Sequence, residues 1–220
     1  MISNKTINGI INYAEILESI NIDLIRIISL DCINNMNTLK KLYLDISSKM
    51  SMIILTYSPR NSSSYKDLLL CEKKEGIYKY YDDFDFLEKS INSLFNKYKK
   101  DLYHLKRVRN KIEHDIDIIG IDEMHSGSGV CGVIFSIDDE KYKINTDKLK
   151  KIISDLNLIF SKMLEDIDLY IKNNDSKNYN HPYYNQLRSF NFLRYNNIFN
   201  STLLYSISEI LNNIIKKSID

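Results

Sequence analysis

Apolar side chains at helical spacing run through most of the chain, and this periodicity limits the fold more than any other feature of the sequence. Between residues 6 and 34 they recur three or four positions apart, which places them on one face of an α-helix. The 220 residues include only six Gly and two Pro, so few positions favour tight turns or break helices. The sequence therefore predicts long helices, the first over residues 6–34 with a break near residues 21–23.

The same spacing predicts the later helices. Thr38 is the expected N-cap of the second helix, and Pro59 ends it because proline cannot continue the hydrogen-bond ladder. A break is expected at residues 99–101, and Thr146 and Asp147 are the expected caps of a long helix near the middle of the chain. Helices are predicted at residues 38–57, 65–74, 82–98 with Asp82 and Asp83 as N-cap and first turn, 102–117, 146–167 and 198–217.

The pattern changes after residue 119. Residues 120–132 contain Ser-Gly-Ser-Gly and are expected to form a flexible loop. Residues 130–135 and 141–144 predict two short strands, and Asp-Asp-Glu at residues 138–140 predicts the turn between them. We therefore expect a β-hairpin near residues 130–145.

These elements predict one mainly all-α domain over residues 1–220. Its expected architecture is an up-and-down helical bundle with the β-hairpin inserted between two helices. The polar run near residues 173–180 is expected to be a linker before the C-terminal helix.

Composition excludes several classes of protein without choosing a function. A hydrophobic content of 44% and a charged content of 27% are typical of a globular protein. The formal net charge of +1 gives no overall basic excess, so contact with nucleic acid has to depend on a local patch. The three Cys have no metal-ligand spacing and predict reduced thiols in the cytoplasm. The chain shows no signal peptide and no apolar run of about 18 residues, so we expect a soluble protein without a membrane segment.

One short stretch concentrates the reactive side chains: residues 107–115 read Arg-Val-Arg-Asn-Lys-Ile-Glu-His-Asp. At about 100° per residue, Arg109 lies on the flank of the buried helix face with Glu113 beside it, while Asn110 and His114 lie on the outward side. Arg109 and His114 are then about 140° apart. They cannot easily reach one atom unless the helix ends between them or a second copy of the chain completes the site. The buried face is expected to contain Leu102, Leu105, Val108, Ile112 and Ile116.

The stretch Arg109-Asn110-x-x-x-His114 resembles the R-x4-6-H motif of the HEPN superfamily, in which a polar residue is favoured directly after the Arg. HEPN domains are small helical domains, and many are metal-independent ribonucleases of defence and toxin–antitoxin systems. The resemblance covers the motif and its setting on an amphipathic helix in a helical chain. It implies a HEPN-type bundle and a homodimer in which two motifs line a shared cleft.

The resemblance also implies roles for the motif residues in cleaving RNA without a metal or another cofactor. The ribose 2′-hydroxyl attacks the adjacent phosphorus, with His114 as general base or acid and Arg109 neutralising charge on the phosphorus oxygens. Asn110 would orient the His or bind phosphate, and Glu113 would hold Arg109. An antitoxin protein that restrains such a ribonuclease would suit the family.

Two further sequence features allow alternative interpretations. Lys106, Arg107 and Lys111 are candidate RNA ligands in a basic cluster that leads into the motif, although lysines on helices are more often a solvated face. Residues 179–195 interleave tyrosines with arginines, which suits stacking on single-stranded RNA, but packing against the bundle or across a dimer interface is favoured.

Three hypotheses follow from the sequence. The favoured one is a HEPN-type endoribonuclease that acts as a homodimer, as a toxin or a phage-defence effector. The second is a non-catalytic HEPN-fold module that binds RNA or a nucleotide. The third is a structural or regulatory helical dimer in which the motif only supports packing.

Overall fold

The computed structural model of the chain describes residues 4–30, 36–53, 85–114, 120–126, 129–137, 139–174 and 181–201. The elements in chain order are α1 (Asn4–Leu30), α2 (Met36–Ile53), α3 (Asp85–His114), β1 (Gly120–Ser126), β2 (Gly129–Ile137), β3 (Glu140–Asn145), α4 (Thr146–Asn174), α5 (Pro182–Ser189) and α6 (Leu193–Asn200). The prediction of a mainly helical chain is confirmed, and its small sheet has three antiparallel strands.

The four long helices pack around one apolar core. α1 contacts α2 and α4, α2 contacts α3, and α3 contacts α4, so these helices close a ring of four. Side chains from all four fill the interior, among them Ile10, Tyr43, Phe95 and Phe160. Burial of such side chains is the main favourable contribution to folding, at about 25 cal/mol per Å² of apolar surface.

α1 is continuous through Asn21 and Asp23, so the break predicted there is wrong. Both residues are buried and have partners inside the bundle. Asn21 and Asn157 of α4 exchange hydrogen bonds, since the Nδ2 of each donates to the Oδ1 of the other at 2.8 Å. Asp23 pairs with Lys49 of α2 and with Arg26 of its own helix. Polar residues that suggested an interruption are therefore the contacts that fix α1 against its neighbours.

α3 contains a kink. Tyr98 has φ −118° and ψ 23°, outside the helical region, and the helix continues on both sides of it. The break predicted at residues 99–101 therefore occurs, one residue earlier. The stretch after the kink carries the motif.

The predicted hairpin is present as β2 and β3, which pair antiparallel from Gly132↔Asn145 to Ile137↔Glu140. In the turn between them Asp139 has φ 64°, a left-handed conformation in which Asp is enriched. At Gly132 a Cβ would collide with the carbonyl oxygen of Ile144 and with the end of the Met124 side chain. This close approach of the strands requires glycine.

The flexible loop predicted at residues 120–132 is wrong for residues 120–126 and 129–132, because β1 pairs with β2 from Gly120↔Ser136 to Ser126↔Gly129. Residues 127 and 128 lie outside the described ranges. β1 is an edge strand with mostly exposed or half-exposed side chains. Such a strand is held by backbone hydrogen bonds to its neighbour, so its sequence shows little of the apolar alternation that marks a half-buried strand.

The start of α4 joins the sheet to the helices. Asn145, rather than Thr146 or Asp147 as predicted, caps the helix, because its Oδ1 accepts a hydrogen bond at 3.1 Å from the backbone N–H three residues on. Thr146 is buried instead. Its hydroxyl donates to the carbonyl oxygen of Cys131 in β2 at 3.0 Å and therefore accepts from the hydroxyl of Tyr43 in α2.

The aromatic residues near the C-terminal end of the described chain pack onto the bundle. Tyr184, Leu187, Phe192 and Tyr195 are buried, and the Phe192 ring meets the Phe160 ring edge-on with centroids 5.8 Å apart. For these side chains the packing interpretation of residues 179–195 is confirmed.

Some predicted elements fall partly or wholly outside the described residues. The last predicted helix has its start inside α6, which begins earlier at Leu193, and α4 extends through Asn174 into the predicted linker. Residues 54–57 of the second helix, the helix at 65–74, residues 175–180 and residues 202–217 lie outside the described ranges. Within those ranges no helix has the length and apolar content needed to cross a membrane.

The reciprocal amide pair between α1 and α4 makes a test of this packing. We expect Asn157→Ala to lower the free energy of unfolding by about 1–3 kcal/mol, because it removes the hydrogen bonds of Asn157 to Asn21 and Asn196 and leaves the buried Oδ1 of Asn21 without its donor. Urea unfolding followed by circular dichroism measures the change. Asn8→Ala, at an exposed position of α1, is the matched control and should be neutral or slightly stabilising. Equal midpoints for Asn157→Ala and the control would contradict a stabilising role for the pair.

Candidate functional site

The motif occupies the last turns of α3. Leu102, Leu105 and Val108 are buried, so the predicted inward face of this helix is confirmed for these three residues. The predicted face residues 112 and 116 have side chains outside the described part of the chain. The helical backbone includes Glu113 and His114, while their side chains are likewise outside that part. The predicted contact between Glu113 and Arg109 stays a prediction.

The helix does not end between Arg109 and His114, since α3 is helical through His114. The sequence allowed two ways for these residues to reach one atom: an end of the helix between them, or a second copy of the chain. The first way does not apply. At about 100° per residue, their backbone positions remain about 140° apart around the axis. A site that uses both side chains has to bring them together across this angle or across two copies of the chain.

The side chain of Arg109 is directed towards Asn110. Its Nη1 donates to the Oδ1 of Asn110 at 3.1 Å, both residues are half-buried, and the Nε of Arg109 is buried. Consecutive residues on a helix do not normally face one another. The long arginine therefore bends around the helix, and one edge of its guanidinium lies on the side that carries Asn110. Position 114 is one turn beyond Asn110 on this side.

The basic cluster before the motif does not form one uniform face. Lys97 pairs with Asp155 of α4 at 2.8 Å, and Lys106 is buried with only 8% of its surface exposed. Arg107 and Lys111 are half-buried. Among the three candidate RNA ligands, Lys106 is thus the least accessible to a phosphate group.

Arg107 lies over the sheet rather than in open solvent. Its Nε donates to the hydroxyl of Tyr142 in β3 at 3.1 Å, and the guanidinium carbon lies 5.8 Å from the centre of the Tyr142 ring. The Tyr142 hydroxyl in turn donates to the carboxylate of Glu140. One tyrosine therefore connects a cation on α3 to an anion on β3.

The charge states along this chain of hydrogen bonds follow from its surroundings. Burial is the main reason that the pKa of Tyr142 lies above its ordinary value, and the hydrogen bond to Glu140 raises it further. The phenol therefore stays protonated at neutral pH and can donate to Glu140. The hydrogen bond with Tyr142 raises the pKa of Arg107, which remains a full cation.

His104 fixes the same junction between α3 and β3. Its Nδ1 lies 3.0 Å from the carbonyl oxygen of Lys143, and since a carbonyl only accepts, Nδ1 carries the proton. The His104 ring meets the Tyr142 ring edge-on at 5.5 Å, and Tyr103 packs against the same ring at 6.5 Å. These contacts lie at the outer edge of β3, beside which the described part of the chain has no further strand.

The sequence did not identify Tyr142, Glu140 or His104 as neighbours of the motif helix. Their contacts with α3 are long-range, and helical spacing gives no information about which strand packs on a helix. The available signal was weak: Tyr142 and Ile144 alternate with lysines, which predicts that both point to the inward face of β3. Both are buried.

Other possible sites in the described residues lie elsewhere or lack the needed groups. Within those residues no three His, Cys, Asp or Glu side chains are grouped as metal ligands would be. A cleft of about 250 Å³ lies between α4 and the segment of α5 and α6, where Asp168 and Arg188 are among its lining residues. Its lining contains no residue of the motif.

Comparison with protein-family models, with curated proteins and with solved structures finds no match to this chain.

Tyr142 provides a test of the junction. We expect Tyr142→Phe to lower the free energy of unfolding by about 1 kcal/mol, because it removes the hydroxyl that accepts from Arg107 and donates to Glu140. Chemical unfolding of the two proteins measures the difference. Tyr170→Phe, at an exposed position near the end of α4, is the matched control and should leave stability within about 0.5 kcal/mol. A Tyr142→Phe protein as stable as this control would show that the hydrogen bonds of the Tyr142 hydroxyl contribute nothing to stability.

Proposed function

We propose that this protein is a metal-independent endoribonuclease of HEPN type, acting as a homodimer in defence or in a toxin–antitoxin pair. The observation that carries the proposal is the arrangement at the end of α3. Arg109 is half-buried and hydrogen-bonded to Asn110, and α3 is helical through His114. The Arg, the polar residue after it and the His thus follow the R-x4-6-H pattern on one helix.

The proposed reaction uses the RNA strand as its own nucleophile. The 2′-oxygen forms a bond to phosphorus, the bond from phosphorus to the 5′-oxygen breaks, and the products carry a 2′,3′-cyclic phosphate and a 5′-hydroxyl. His114 takes the proton of the 2′-hydroxyl or returns one to the 5′-oxygen. Arg109 neutralises the charge that develops on the phosphorus oxygens, and Asn110 fixes the direction of the guanidinium.

The positions of Arg109 and His114 around the helix favour a site shared by two protomers. In a two-fold dimer with the ends of both α3 helices facing each other, Arg109 of one protomer and His114 of its partner approach one phosphate from two sides. The two residues then do not have to span the angle of about 140° that separates them on a single helix.

The first experiment tests the chemistry. We expect the purified protein to cleave single-stranded RNA in EDTA and to leave cyclic phosphates, and Arg109→Ala and His114→Ala each to lower the rate at least about 100-fold. Gel analysis of labelled RNA, with and without acid treatment to open the cyclic phosphate, measures rate and end group. His125→Ala, at an exposed position of β1, is the control and should keep full activity. An intact RNA substrate that is nevertheless bound would instead support the non-catalytic binding module.

The second experiment tests the shared site. We expect a mixture of inactive Arg109→Ala and His114→Ala proteins, after exchange of subunits, to recover activity, because the mixed dimer contains one intact Arg and one intact His. With two independent sites per dimer and random pairing, recovery should reach about a quarter of the wild-type rate. The same mixture assayed before exchange is the control. No recovery after exchange would place both residues of the site in one protomer.

A further inference from the structure

The guanidinium of Arg107 is anchored through one of its three nitrogens. Its Nε donates to Tyr142, and this phenol stands between the guanidinium and the carboxylate of Glu140. Across the described residues, Nη1 and Nη2 of Arg107 donate no hydrogen bond, and Arg107 makes no direct ion pair with Glu140. Arg107 is therefore held in position by Nε, while Nη1 and Nη2, which form the outer edge of its forked guanidinium, remain available to a ligand.

A second Arg–Tyr–Glu group shows how different this arrangement is. The Nη2 of Arg194 donates to Glu18 of α1 at 2.6 Å and to the Tyr195 hydroxyl at 2.8 Å, so a carboxylate occupies the outer edge of the fork. The same three residue types thus form a direct Arg–Glu ion pair at Arg194, whereas at Arg107 the tyrosine stands between the arginine and the glutamate.

Arg107 also lies on the same side of the motif helix as His114. At about 100° per residue, Arg107 and His114 are only about 20° apart around the axis, and at 1.5 Å per residue they are about 10 Å apart along it. Asn110 lies between them along the helix. Arg109, by contrast, is on the flank of the buried face.

We propose that Arg107 binds a backbone phosphate of the RNA strand through Nη1 and Nη2, beside the phosphate that is cleaved. The proposal rests on the ribonuclease function proposed above and assigns Arg107 to the binding of its substrate. The planar fork of a guanidinium matches two oxygens of one phosphate, and the anchor at Nε reduces the side-chain entropy lost on binding.

The charges near Arg107 favour an anion. Lys111 follows one turn later on α3, whereas the exposed Lys141 and Lys143 alternate with Tyr142 and belong to the other face of β3. Besides the hydrogen bond with Tyr142, the charge of the Glu140 carboxylate raises the pKa of Arg107, but this carboxylate makes no direct ion pair with Arg107 and accepts a hydrogen bond from the Tyr142 hydroxyl instead. A phosphate at Nη1 and Nη2 therefore meets the Arg107 cation with Lys111 one helical turn away, and a neutral phenol separates it from the carboxylate.

The test measures binding separately from cleavage. A fluorescent single-stranded RNA with 2′-O-methyl riboses cannot be cleaved by 2′-hydroxyl attack, and its affinity is measured by anisotropy over a range of salt concentrations. We expect Arg107→Gln to bind about ten-fold more weakly than wild type, and the slope of log K against log salt to fall by about 0.7, the value for one phosphate contact on a single strand.

Arg194→Gln is the matched control. It removes the same type of side chain from the group in which arginine and glutamate pair directly. The tyrosine of that group is buried and cannot stack on a base. We expect wild-type affinity and slope for this variant. Arg107→Lys keeps the charge without the fork, so it should keep the slope and lose affinity. Thermal unfolding of each protein shows whether it is folded under the binding conditions.

The outcomes separate the two proposals. Equal affinity and equal slope for folded Arg107→Gln and Arg194→Gln overturn the role of Arg107, whether or not the protein cleaves RNA. A wild-type protein that does not bind the RNA overturns it as well. If Arg107→Gln alone loses affinity and slope, the phosphate contact is supported. When that result accompanies a wild-type protein that leaves unmodified RNA intact, the binding role stands and the ribonuclease proposal fails.

Discussion

The angle between any two residues of a helix is fixed by its geometry, and α3 is helical from its kink at Tyr98 to His114. The positions of the candidate-site residues around α3 follow from this constraint. The residues Leu102, Leu105 and Val108 anchor one side of the helix in the core, and their burial determines where every other side chain of the segment begins. The charged residues of the motif are thereby distributed around the helix and do not form a single patch.

The parts of α3 before and after the kink at Tyr98 pack against different neighbours. Before it, Ile91, Leu94 and Phe95 pack in the bundle core, and after it the helix also has to accommodate β3. A change of direction at one residue allows both parts to bury an apolar stripe although they face different neighbours. The position of the motif is therefore linked to the place where the helix departs from regular geometry.

Helical periodicity was sufficient to predict the long helices and the buried side of the motif helix, because burial repeats with the period of the backbone. It failed where the local structure depends on a partner that is distant in the sequence. Asn21 lies inside α1 because Asn157 satisfies its amide, and β1 is a strand because β2 pairs with it. Neither partner is visible in the local sequence.

At the candidate site, too, helical spacing predicted some features and not others. The positions of Arg109 and His114 followed from spacing, and so did the angle between them. The bend of Arg109 towards Asn110 did not, since neighbouring helix residues point apart on average. The anchoring of Arg107 could not be predicted either, because it depends on the register that brings Tyr142 to α3.

The two arginines are consequently positioned by different parts of the molecule. Asn110 holds Arg109 within α3 itself, whereas Tyr142 holds Arg107 from the sheet. The place of Tyr142 depends on the pairing of β3 with β2, and that pairing in turn needs Gly132, where any side chain would collide with β3. A shift in the sheet would move the anchor of Arg107 and leave the contact of Arg109 intact. The small sheet therefore contributes to the candidate site, since Tyr142 of β3 sets the direction of the Arg107 guanidinium.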